Sequence, residues 1–399
     1  MPNISNRGQI LPASPIRKLV PFADEAKRKG KKVYHLNIGQ PDVATPANAL
    51  QAVRDTDFDV LAYAPSAGTN EYRSKLAKYY KEKVGTTLSP EDFITTTGAS
   101  EALSFGMIAC MNPGDELIVP EPFYANYNGF SIAGGVQVKP ITARIENDFA
   151  LPPIQDFEKS ITSKTKGILI CNPSNPTGYL YSKKELLQLR DIVIKHDLFL
   201  FVDEVYRDFV YDDKKFHTVL NIEGIEEHVV VFDSISKRYS CCGGRIGALV
   251  SRNKAITNTA MKLAQARLSP PTFGLIVAEA VLDAPLDYVS DAIAEFDRRR
   301  KLLVERLNAM QGVVAPTPGG AFYAFVQLPI DDSEKFCQWL LEEFEHDNAT
   351  VMMAPGSGFY STEGLGKQEV RIAYVLNEDD LNKAMDCLEK ALIAYPGRV

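Results

Sequence analysis

Short runs of β-branched and aromatic residues alternate along the chain with longer amphipathic stretches. The runs at Phe93–Thr97, Glu116–Pro120, Gly167–Cys171, Leu198–Val202, Val229–Asp233 and Ala248–Ser251 predict strands. Several are apolar almost throughout, as expected of strands covered on both faces. Between them, Ser100–Met111 and Lys183–His196 carry helical periodicity, and the first sets Leu103, Met107, Cys110 and Met111 on one side. Strand–helix alternation of this kind predicts an α/β fold, with a large domain built on a mostly parallel sheet flanked by helices.

The texture changes near residue 285. A charged helix (Asp291–Met310) leads into a Pro- and Gly-rich turn, then a strand at Ala321–Leu328, a helix at Ser333–Phe344, a strand at Glu369–Tyr374 and a last helix at Glu378–Tyr395. This pattern predicts a smaller α+β domain over 285–399, after a large domain over 45–284. The segment 1–44 carries one expected helix (about Ser14–Lys31) and a short strand (Val33–Asn37), and is expected to pack with the small domain.

Composition narrows the function. The chain has 399 residues, 45% of them apolar, enough for two or three domains with sizeable cores. It carries 44 basic and 51 acidic residues, a net charge of −7, which argues against nucleic acid as a partner because phosphate neutralisation needs a basic surface. The N-terminus shows no basic stretch followed by an apolar one, so no signal peptide is expected. Apolar runs such as Leu198–Val202 fall far short of the ~20 residues of a membrane span. The six cysteines lack C-x-x-C spacing and read as thiols of a reducing cytoplasm, and the five scattered histidines give no reason to expect a metal.

In open α/β sheets, ligands bind at the carboxyl ends of the strands. Those ends carry Gly98-Ala99-Ser100, then Asn172 to Gly178, then Asp203-Glu204-Val205-Tyr206, and then Ser234-Ile235-Ser236-Lys237 with Arg245 soon after. The set suits a phosphorylated, aromatic, nitrogen-containing aldehyde. Serine hydroxyls, a helix N-terminus and Arg245 suit a phosphate dianion. Lys237 can form a Schiff base. Asp203 can keep a pyridine nitrogen protonated, Asn175 and Tyr206 can hold a phenolate oxygen, and Tyr124 can stack on the ring. Each residue has a plainer reading: Lys237 as a loop lysine, Asp203 as a helix cap, residues 172–178 as a turn, the tyrosines as half-buried aromatics. Their joint placement at successive strand ends favours the chemical one.

These segments resemble the pyridoxal-phosphate-dependent class I/II aminotransferases of fold type I. Ser234-x-Ser236-Lys237 followed by Gly243-Gly244-Arg245-Ile246-Gly247 is similar to the family's lysine motif. Asn175-Pro176-Thr177-Gly178 and Asp203-Glu204-Val205-Tyr206 match N-P-T-G and D-E-x-Y. Gly39-x-Pro41 with Thr45-Pro46, Tyr63 with Gly68, Asn112-Pro113-Gly114-Asp115 and Val370-Arg371-Ile372 follow the family's order. The run Lys237 to Gly243 resembles a bacterial subset, the aspartate aminotransferases.

The resemblance implies roles residue by residue. Lys237 is the Schiff-base lysine and proton carrier. Asp203 pairs with the pyridine nitrogen, Asn175 and Tyr206 contact the ring oxygen, and Tyr124 stacks. Ala99, Ser100, Ser234 and Arg245 hold the phosphate of pyridoxal 5'-phosphate, joined by Tyr63 from the neighbouring subunit of a homodimer with shared sites. Arg371 grips the substrate α-carboxylate, helped by Asn175 and the Gly39 backbone. The implied reaction is ping-pong transamination between an L-amino acid and a 2-oxo acid, with aspartate and 2-oxoglutarate expected. Arg267 is the expected reader of the distal carboxylate, and a helix-capping role is the alternative. A β-lyase acting on a sulfur amino acid would use the same apparatus, and a pyridoxal-phosphate-binding sensor is a third reading.

Overall fold

The computed structural model describes residues 2–285 and 287–399. Among them, twelve strands run in chain order as β1 (Lys32–His35), β2 (Phe93–Thr96), β3 (Glu116–Glu121), β4 (Gln137–Thr142), β5 (Thr165–Cys171), β6 (Phe199–Asp203), β7 (Val229–Ser234), β8 (Gly247–Val250), β9 (Tyr323–Gln327), β10 (Ala349–Met352), β11 (Ala354–Pro355) and β12 (Glu369–Ala373).

Seven of these form one sheet in the order β2-β8-β7-β6-β5-β3-β4. Only β8 runs against the others, pairing antiparallel with both β2 and β7. The sheet is therefore mostly parallel, as the alternation predicts. Its two faces feed separate cores: Phe201, Val230 and Phe232 point to one, and Leu200, Val202, Val229 and Val231 to the other. Burial on both faces is why these strands read as unbroken apolar runs. The edge strand β4 escapes that pattern because Lys139 and Pro140 interrupt it, and a sheet edge tolerates proline.

Two smaller sheets lie apart from the large one. β9 pairs with β12, and β12 with β11, all antiparallel. β1 pairs parallel with β10, so the N-terminal segment joins the C-terminal part of the chain through Lys32–His35. The expected helix over Ser14–Lys31 is shorter, running only over Val20–Arg28. Pro21 sets that start: proline is accommodated in a first helical turn, whereas deeper inside it would remove a hydrogen bond and clash with the preceding turn. Residues 14–19 form turns instead, and that difference bears on the site.

Candidate active site

The carboxyl ends of β2, β5, β6 and β7 open onto a cavity of about 630 Å³. Each strand delivers its residue at the point where the ladder stops. β6 ends on Asp203, and β7 ends on Ser234, which caps the short helix Ile235–Arg238 carrying Lys237. β2 turns at Thr97 into the helix Gly98–Cys110. Its first turn lines the cavity at Ala99 and Ser100, and a helix leaves the amides of that turn without partners of its own.

Asp203 is buried at the cavity floor. Its carboxylate accepts from the Tyr127 hydroxyl at 2.9 Å and from the Val205 amide at 3.3 Å. Burial pushes its pKa up to about 6, against the pull of those hydrogen bonds. Lys237 Nζ donates to the Gly39 carbonyl at 2.6 Å and lies 3.8 Å from Cys242 Sγ. Burial holds its pKa below the usual lysine value, which favours the neutral amine.

On the opposite wall, β12 presents Arg371. Its Nη1 donates to Asn175 Oδ1 at 2.9 Å and its Nη2 to the Asn37 carbonyl at 2.6 Å. The guanidinium lies between the rings of Tyr323 and Phe359, 4.5 and 5.0 Å from their centroids. Arg371 is 1% exposed, forms no salt bridge among the described residues, and leaves its Nε without a partner. A buried cation facing a cavity with no anion beside it is costly, and a ligand carboxylate relieves that cost.

Arg245 approaches from the third side. It adopts a left-handed backbone (φ 54°), donates to the Cys242 carbonyl, and its guanidinium crowds the first residue of the 98–110 helix. A side chain at Gly98, itself at φ +72°, would come within 2.6 Å of Arg245 Nη2. With Ser234 on β7, these groups make a compact cradle for a dianion.

Gly39, Ala99, Ser100, Tyr124, Asn175 and Asp203 all line the cavity, as do Tyr206, Ser234, Lys237, Arg245 and Arg371. Two residues singled out in the sequence do not. Tyr63 is 78% exposed on the surface and lines no cavity described here. Arg267 ends the helix Lys254–Arg267, and its guanidinium is committed to the Glu101 carboxylate at 2.8 Å and to the carbonyls of Ser66 and Thr95. Within one protomer it braces the helix that carries Ser100 and offers no free cation to a substrate.

Other contributors carry no motif of their own. Tyr127, in the first turn of the helix Asn126–Gly134 that follows Tyr124, orients Asp203. Tyr323 hydrogen-bonds Tyr206. Arg17 reaches the rim from the N-terminal turns. Beneath Lys237, the buried Asp233 carboxylate meets Arg207 at 3.0 Å and Arg238 at 3.3 Å. Burial alone would raise its pKa, but the two guanidiniums hold it below the ordinary value. Arg238 also pairs with Asp208, so the residue next to Lys237 is tied both to β7 through Asp233 and to the turn after β6.

The cavity thus offers an amine, a floor carboxylate, a dianion cradle and a carboxylate-binding guanidinium, which together can take an amino acid and an anionic aromatic cofactor. No helix among the described residues is long and apolar enough to cross a membrane. The family model of "Aminotransferase class I and II" matches residues 31–388. The aspartate aminotransferase of Pyrococcus abyssi is 31% identical over 395 residues, 98% of each chain. Aromatic-amino-acid aminotransferase 2 of Thermococcus litoralis is 29% identical over the same length, again 98% of each. The crystal structure of aspartate aminotransferase from Thermotoga maritima superposes with a TM-score of 0.90 at 31% identity, covering 98% of this chain and 100% of that one. The chain belongs to the class I and II aminotransferases.

Proposed function

We propose that this cavity binds pyridoxal 5'-phosphate and exchanges an amino group between aspartate and 2-oxoglutarate. The observation that carries the reading is Arg371, a fully buried guanidinium that faces the cavity and forms no salt bridge among the described residues. An α-carboxylate fits its fork.

The residues fit the cofactor. Asp203 is a buried carboxylate with hydrogen-bond donors but no salt bridge among the described residues, and a protonated ring nitrogen would supply one. The Gly98 helix start, Ser234 and Arg245 suit the phosphate, and Tyr124 suits a stacking role. Bound there, pyridoxal phosphate supplies a carbonyl for the substrate amine and a ring that accepts electrons from the α-carbon.

The chain's own part follows from placement. Arg371, held by Asn175 and the Asn37 carbonyl, fixes the substrate by its α-carboxylate and so fixes which α-bond faces Lys237. Lys237 Nζ, whose pKa burial lowers from the usual lysine value, would be the group that takes up the α-proton and returns it. Asp203 would hold the ring nitrogen protonated by pairing its carboxylate with it. Tyr206 and Asn175 would orient the ring oxygen. The same groups act in reverse on the incoming 2-oxo acid, giving ping-pong kinetics.

The working unit we infer is a homodimer. Tyr63 belongs to an exposed apolar strip with Val60, Leu61, Phe58 and Leu268, the kind of patch that a second copy covers. The division we favour sets 45–284 as the cofactor-binding domain and 285–399 with the N-terminal segment as the smaller one. Six free cysteines agree with a cytoplasmic setting.

Borohydride reduction followed by peptide mapping tests the core of this reading. The cofactor should be found on Lys237, and label on another lysine refutes the site. A donor panel read by the absorbance of the half-reaction tests the substrate. Aspartate should convert fastest, and a preference for aromatic or branched donors refutes the aspartate assignment.

A further inference from the structure

Among the described residues, four cationic side chains line the cavity: Arg17, Lys237, Arg245 and Arg371. Three have work in the reading above. Lys237 carries the reaction, Arg245 faces the phosphate cradle, and Arg371 takes the α-carboxylate. Arg17 has no assigned task, and its side chain makes no salt bridge among the described residues.

Its position is set by its neighbours. Lys18 turns away to pair with Glu334 at 2.6 Å, and Leu19 is buried in the core. Pro15 packs so closely on Gly358 that a side chain there would overlap it, and the next residue, Phe359, is a ring that flanks Arg371. Asn37 ties the two arginines into one frame. Its side-chain amide donates to the Ile16 carbonyl at 3.1 Å, while its own carbonyl receives Arg371 Nη2 at 2.6 Å. The Tyr124 hydroxyl lies within the field of both guanidiniums, which oppose the upward push of burial on its pKa.

We propose that Arg17 is the residue that reads the distal carboxylate of a dicarboxylic substrate. Two guanidiniums on one frame, one deep and one at the rim, suit a molecule with a carboxylate at each end. Arg267 is held away from that role within its own protomer, because Glu101 and two backbone carbonyls already engage its two terminal nitrogens. The inference rests on the dicarboxylate reading of the substrate and names the residue that enforces it.

The test compares the loaded wild type with Arg17→Gln, Arg17→Lys and Arg267→Gln. Two readouts are taken: kcat/KM for aspartate, glutamate, alanine and phenylalanine, and the Kd of maleate, an amine-free dicarboxylate, from its effect on the cofactor's absorbance. Arg17→Gln should lower kcat/KM for aspartate and glutamate by roughly 10- to 150-fold, the worth of a charge-assisted contact. Maleate should weaken in parallel, alanine and phenylalanine should change only a few-fold, and Arg17→Lys should recover part of the loss. An equal effect on all four donors, or none, overturns the assignment to Arg17. Selective loss in Arg267→Gln instead overturns it in favour of an arginine supplied across a subunit boundary. Wild-type enzyme that neither prefers dicarboxylic donors nor binds maleate overturns the substrate reading itself, whatever Arg17→Gln does.

Discussion

The Tyr206 hydroxyl lies 2.8 Å from the Tyr323 hydroxyl, with the two rings edge to face and 5.4 Å apart. Tyr206 follows the end of a strand of the seven-stranded sheet, whereas Tyr323 begins a strand of the three-stranded one. The Tyr323 ring also lies under the Arg371 guanidinium, and its hydroxyl packs against Gly39 so closely that any side chain at 39 would collide with it. One buried tyrosine therefore sets the position of a group expected on the cofactor and of the group expected on the substrate.

The hydroxyl and the ring of Tyr323 separate by substitution. Tyr323→Phe keeps the ring under Arg371 and removes only the bond to Tyr206. It should lower kcat about 3- to 10-fold, the worth of one net hydrogen bond, with KM for amino donors nearly unchanged. Tyr323→Ala removes both supports, so KM should rise for every donor as Arg371 loses its platform. Steady-state kinetics with two unlike donors decide it. A KM increase in Tyr323→Phe as large as in Tyr323→Ala would contradict this division of labour.

Arg371→Lys keeps the charge but loses the planar fork that Asn175 and the Asn37 carbonyl orient. KM should rise on the order of 100-fold for aspartate, alanine and phenylalanine alike, because all share the α-carboxylate. That uniformity contrasts with the donor-selective loss expected at Arg17. Loss confined to dicarboxylic donors would mean that Arg371 reads the side chain and not the backbone end of the substrate.

Where a site residue sits at the end of an apolar strand, the sequence betrayed it. Asp203, Ser234 and Lys237 follow runs whose burial on both faces leaves an unmistakable pattern, and the parallel order of those strands brings their ends together. Tyr323 lies inside Ala321–Val326, a run that reads as ordinary strand core, so its hydroxyl carries no signal. The partner of Arg267 is 166 positions away in the chain, and periodicity says nothing of pairs at that distance. The cluster of Asp233, Arg207 and Arg238 was hidden for the same reason, although each member lies beside a legible motif. Arg17 was obscured by a helix expected to run through Pro15 and Pro21, a run that proline geometry interrupts.

Shared sites make a prediction about hybrids. If Tyr63 of one subunit completes the phosphate cradle of its partner, Lys237→Ala and Tyr63→Ala lie in the same site only when contributed by opposite chains. Mixed dimers then contain one doubly altered site and one native site. Co-refolding the two weakly active proteins should recover up to about a quarter of wild-type activity from a statistical mixture of dimers. Activity no greater than the sum of the parents, or a fully active monomer by light scattering during turnover, rules out sharing.

Asp203 links the electrostatics to stability. Burial raises its pKa from the ordinary 3.8 to about 6 in the cofactor-free protein. For a carboxyl raised on folding, the stabilising contribution is fully present below pH 3.8 and is lost as pH rises through 6. Asn at this position cannot ionise. Cofactor-free Asp203→Asn should therefore match the wild type near pH 4 and become the more stable of the two by pH 7, by on the order of 3 kcal/mol for a shift of about two units. Glu204, raised by burial to about 7, titrates in both proteins, so the difference between their melting curves cancels it. Adding pyridoxal phosphate should reverse the order, because a protonated ring nitrogen against Asp203 favours the carboxylate that burial alone disfavours. Thermal melts from pH 4 to 8, with and without cofactor, read both effects, and kcat of the loaded variant should fall by orders of magnitude. A pH-independent difference in the cofactor-free proteins would mean that Asp203 is not strained by burial, and a kcat within a few-fold of wild type would remove it from the chemistry.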